Sequence, residues 1–103
     1  MKSTNQIKEF IKNHNLKNEL LNSFKDLLEK NSLGDLDIED KNISINENII
    51  KYKLLETGFH SFQTPILKNG FEIGYYSLDY DDNGEIIDNF FIIKLSDRNR
   101  NHN

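Results

Sequence analysis

A chain of 103 residues with a formal charge of -4, seven Phe, four Tyr and no Cys holds enough apolar bulk for one modest core and no means of making disulfides or thiolate metal sites. Its acidity argues against a nucleic-acid partner, because phosphates are bound by clustered Lys and Arg. No apolar stretch reaches the length of a signal peptide or a membrane span, so a cytoplasmic protein with no membrane partner is expected.

In chain order, Ile7, Phe10 and Ile11 recur at helical spacing, with His14 extending the stripe and Thr4 suited to the N-cap; a first helix is predicted over about 5–13. Asn13-His14-Asn15 marks a break, since Asn competes for backbone hydrogen bonds and tolerates left-handed geometry. Leu20, Leu21, Phe24, Leu27 and Leu28 form the stripe of a second helix over about 16–30. Gly34 fits a left-handed stop beyond it. The segment 35–40 has four acids and no base, so residues 31–41 read as a solvated acidic connector.

From about residue 42 to 95 the pattern becomes that of strands. A short strand is predicted through Ile43 and Ile45, and another from Ile49 to Leu55, ending at Thr57-Gly58. A run over 59–68 contains Pro65, whose missing N–H places it at an edge, a bulge or a strand end. Asn69-Gly70 then signals a two-residue hairpin turn, which needs positive φ at both positions. Strands over 71–80 and 86–95 are joined by Asp81-Asp82-Asn83-Gly84, and residues 96–103 read as a frayed tail. One α+β domain follows, with two N-terminal helices packed on a four- to five-stranded antiparallel sheet of meander type.

Both faces of the last two strands carry bulk. Phe71, Ile73 and Tyr75 share one side while Tyr76, Leu78 and Tyr80 share the other, so the helices cover one face and curvature, a homodimer mate or a partner protein must shield the other. Gly74, between the two sets, suits a bulge.

The acidic hairpin is the sharpest local pattern. Asp79, Asp81, Asn83, Gly84 and Ile86 match the opening of a calcium loop, but the twelfth position is Phe90 and the flanks are strands, so no metal or other cofactor is expected. Asp79, Asp81, Asp82, Glu85 and Asp88 put five acids within ten residues with no base among them. They read either as a patch for a basic protein, with Tyr75, Tyr76 and Tyr80 as aromatic anchors, or as a solvated turn that blocks edge-to-edge association. The three His form no catalytic constellation: His14 sits near a helix end, His102 in the tail, and no nucleophile elbow or partnered carboxylate is expected to accompany His60. No catalytic residue is assigned. An enzyme using His60 would need a concave polar pocket beside that ring.

The segment from Glu72 through Asp79-Tyr80-Asp81-Asp82-Asn83-Gly84-Glu85-Ile86 to Phe91 resembles the hairpin of small bacterial immunity proteins of polymorphic or contact-dependent toxin systems. That resemblance implies a non-catalytic chain that binds a cognate toxin domain, often a nuclease, and blocks it stoichiometrically. The basic-partner reading of the acidic, tyrosine-bearing surface is consistent with it. A phage-encoded inhibitor of a host nuclease would share the same features.

Overall fold

The computed structural model describes residues 4–94. Helix α1 spans Thr4–Asn13, α2 Leu16–Lys30 and a single turn, α3, Leu33–Leu36; the strands are β1 Ser44–Ile45, β2 Lys51–Leu54, β3 His60–Lys68, β4 Phe71–Tyr80 and β5 Ile86–Ile93. This is the expected α+β architecture. Thr4 already lies inside α1, so the N-cap falls outside the described residues, as does the tail.

Asn15, at φ 49°, makes the break between the long helices. On α2, Leu16, Leu20 and Phe24 fall on one stripe and are buried, while Lys17, Lys25 and Lys30 stay exposed. The connector departs from the sequence reading. Ser32 and Asp35 form a capping box that nucleates α3, Asp37 rather than Gly34 adopts the left-handed stop, and Leu36 and Ile38 are buried in the core. Two of its acids are tied down as well: Glu39 and Asp40 lie 3.8 and 3.5 Å from the ammonium of Lys68, a buried residue on β3. Acids alternate with apolar residues here, so net charge masked a stretch that is half buried.

The strands β2 to β5 form an antiparallel meander, and β1 lies on the same side of β3 as β2. Asn69 (φ 51°) and Gly70 (φ 81°) supply the turn between β3 and β4 that their sequence predicts. Pro65 is on an interior strand, where a proline should remove a ladder bond. It sits where β1 has ended and β2 has not begun, so its missing N–H faces the gap; its carbonyl accepts from Asn46 N at 3.1 Å.

A bulge at Ile73, beside Gly74, shifts the β3–β4 register. Ile73 thereby turns into the core, away from the side it was expected to share with Phe71 and Tyr75. Gly74 is required by a close approach, because a Cβ there would lie 1.9 Å from the carbonyl oxygen of Ile92 on β5.

The helices pack on one face of the sheet. Phe10 stacks on Phe62 at 5.2 Å and meets Tyr80 edge-on at 5.3 Å, and Phe24 meets Tyr76 edge-on at 5.4 Å. The Tyr76 hydroxyl hydrogen-bonds Ser23 and accepts from Asn89, which ties α2 to β4 and β5. The opposite face carries, by strand register, the rows Lys53–Ser61–Asp79–Asp88, Lys51–Gln63–Ser77–Phe90 and Pro65–Tyr75–Ile92.

Candidate functional site

The acidic turn is closed by hydrogen bonds from its own residues. Asp81 Oδ1 accepts from Asn83 N at 2.9 Å and from Glu85 N at 3.0 Å, while its backbone closes the turn to Gly84 and Glu85. Gly84, at φ 82°, lies against the end of α1: a Cβ there would fall 2.3 Å from Nε2 of His14. His14 is positioned in turn by stacking on Phe10 at 3.9 Å.

Asp82 makes the second anchor. Its carboxylate accepts from Nε2 of the buried His60 at 2.6 Å, and the other ring nitrogen, Nδ1, is 2.7 Å from the Tyr52 hydroxyl. A carboxylate can only accept, so Nε2 carries the proton, and in the neutral ring Nδ1 is left to accept from Tyr52. The chain of hydrogen bonds therefore runs from β2 through β3 to the β4–β5 turn. The His60 bond holds the Asp82 carboxyl below the usual range, and burial, then the charge of Asp82, push the Tyr52 hydroxyl up.

Between α1 and this turn lies an open cleft of about 320 Å³ lined by Gln6, Glu9, Phe10, Asn13, His14, His60 and Asp82. Such a cleft is what chemistry at His60 would require, and both nitrogens of the ring are already engaged at its rim. Among the described residues, no cluster of His, Cys, Asp and Glu is arranged to hold a metal ion.

The eight residues expected to contact a partner divide among three environments. Asp82, Glu85 and Asp88 are exposed, and Asp81 is half-buried with one oxygen committed to the turn. Tyr75 is half-buried on the face opposite the helices, where the Lys94 ammonium lies 5.4 Å from its ring centre. Tyr76 and Tyr80 are buried beneath the helices, with 0% and 2% of their surface exposed, so they serve the core and cannot anchor a partner without unpacking it. Burial also pushes the Tyr80 hydroxyl far up. Asp79 is buried too, on the face opposite the helices, and belongs to the floor of the sheet rather than to the tip of the turn.

Sequence reasoning missed the Tyr52–His60–Asp82 chain, and the expectation that His60 lacks a partnered carboxylate is overturned by Asp82 at 2.6 Å. One signal for it was present: a turn at Thr57-Gly58 sets Leu54 opposite His60, which makes Tyr52 and His60 diagonal neighbours on one face. The Asp82 contact depends on how the turn after β4 curls back over β3 and has no local signature. No helix of the described residues is long and apolar enough to cross a membrane. Comparison with known protein families, curated proteins and solved structures returned no significant match.

Proposed function

We propose that the chain is a non-catalytic binding protein of the immunity kind, which neutralises a cognate toxin domain in the cytoplasm by seating an acidic surface on a basic one. The observation that carries the reading is the pre-organised turn: Asp81 fixes its backbone, His60 fixes Asp82, and His14 fits against Gly84, so exposed carboxylates are presented in a set geometry. Ordering a flexible acidic loop on binding would consume part of the interaction energy, and this turn is ordered beforehand. The field of Asp82, Glu85 and Asp88 favours rapid encounter with a basic protein. Tyr75 and Phe90 on the adjoining sheet face supply aromatic surface for such a contact.

The test is co-expression with the protein encoded beside the chain, followed by association kinetics. The reading requires a stable one-to-one complex, protection of the host from that neighbour, and an association rate that falls as salt is raised. A variant carrying Asp82→Asn, Glu85→Gln and Asp88→Asn should associate more slowly and with a flatter salt dependence. Association that is insensitive to both salt and these substitutions would overturn the acidic surface as the contact.

A further inference from the structure

One row of the sheet face opposite the helices is unlike the others. Asp79 on β4 and Asp88 on β5 stand directly opposite each other, Ser61 flanks Asp79 on β3, and Lys53 ends the row on β2. Side chains so paired have their Cβ atoms about 5 Å apart, and like charges in that position repel. Asp79 is 3% exposed and its Oδ1 is buried with no hydrogen-bond partner, although a buried carboxylate oxygen normally has one. Ser61 hydrogen-bonds the carboxylate, yet burial outweighs it and, with the charge of Asp88, holds the Asp79 carboxyl above the usual range. Among the described residues no ion pair joins Lys53 to either acid. The fold thus keeps two facing carboxyl groups, one exposed and one buried with an unmet acceptor, on the sheet face opposite the helices.

We propose that the Asp79–Asp88 pair receives one guanidinium group, the side chain of an arginine on the basic partner. This rests on the binding role proposed above and names the partner group that the sheet face recognises. A guanidinium presents several N–H donors in a planar fork, so one group can serve the unmet Oδ1 of Asp79 and the carboxylate of Asp88 together. Ser61 and Ser77 beside Asp79 are buried with it, at 3% and 1% exposed, so the group enters from the side of the exposed Asp88. Phe90, two residues along β5 from Asp88 on the same face and 43% exposed, offers a ring on which its plane can stack. An ammonium would neutralise the charge without matching the fork.

The experiment is a titration of the isotopically labelled chain with N-acetyl-arginine amide, followed by NMR, with the lysine and citrulline analogues as comparisons. Saturable shifts at the amides of Ser61, Asp79 and Asp88 and at the Asp79 carboxyl carbon are expected with arginine, weaker ones with lysine and none with citrulline. Asp79→Asn should leave the fold intact and weaken arginine binding about tenfold. Shifts confined to Asp82 and Glu85, or an Asp79→Asn variant that binds arginine as well as the parent, would overturn the proposal. A partner complex indifferent to Asp79→Asn removes the guanidinium site and leaves the binding role, whereas arginine binding at this pair with no basic protein partner does the reverse.

Discussion

Replacing Asp81 by Ala separates the structural work of the acidic turn from its charge. The Asp81 carboxylate accepts two backbone N–H groups through one oxygen, at 2.9 and 3.0 Å, so the substitution removes both bonds and leaves only the two backbone bonds that close the turn. Each bond is partly exposed and water can replace it in part, so the loss should come to about 2 kcal/mol in all. Asp81→Asn keeps an acceptor in the same place and should recover about half of that. Urea unfolding measures the stability change, and hydrogen exchange at the amides of Asn83 and Glu85 localises it. Exchange there should quicken in the Ala variant and change little in the Asn variant. Unaltered protection of those two amides in the Ala variant would refute the pre-organised turn and free Asp81 to act as a contact residue.

The remaining predictions probe the packing and the titrating groups. Gly74→Ala sets a methyl 1.9 Å from the Ile92 carbonyl oxygen, which only strand separation can relieve; a loss above about 3 kcal/mol in chemical denaturation is expected, and a near-neutral result would contradict the close approach of β4 and β5. Tyr76→Phe strips the shared partner from Ser23 and Asn89 and should cost about 1–2 kcal/mol, read from the same unfolding curves. Asp79 has a raised folded-state pKa, so it binds its proton more tightly in the native state and weakens the fold as pH rises from the ordinary carboxylate range through the folded value. Asp79→Asn should therefore be the more stable protein at neutral pH, with the difference fading on acidification below that range. Asp82 behaves oppositely: its pKa is lowered, its contribution is present above the ordinary carboxylate range and is lost as pH falls through the folded value. Unfolding midpoints of Asp82→Asn against pH should lack that acid limb.

Much of the fold was legible because local rules agreed with tertiary packing. Ile7, Phe10 and Ile11, then Leu20, Phe24 and Leu27, announce two helical stripes, and Asn69-Gly70 fixes a hairpin whose positive φ angles the structure contains. Ile38 was hidden because Asp37 and Glu39 bracket it, and a charge count over the segment cannot see one side chain turned inward. The tyrosines show a different limit. Alternation correctly separates Tyr75 from Tyr76 and Tyr80, but which set is covered depends on where α1 and α2 dock, and that is decided by Phe10 and Phe24 finding Phe62, Tyr80 and Tyr76. The site was less legible than the fold. Five acids close in sequence are divided by the pleat and the turn between a buried floor and an exposed tip, so proximity along the chain overstated their proximity in space.

The gap at Pro65 also makes the two margins of the sheet unequal. One margin is made of two short pieces, two and four residues long, interrupted where a neighbour's donor would be needed. It is a poor template for an incoming strand. The other margin is β5, eight residues without proline, with Ile86, Ile87 and Phe90 exposed. Among the described residues its safeguards against uncontrolled strand addition are the irregularity near Ile87, which disturbs a flat approach, and the charge of Asp88. Substituting Asp88 with an apolar residue would remove one of them, leaving β5 as the side from which strand-wise self-association would begin.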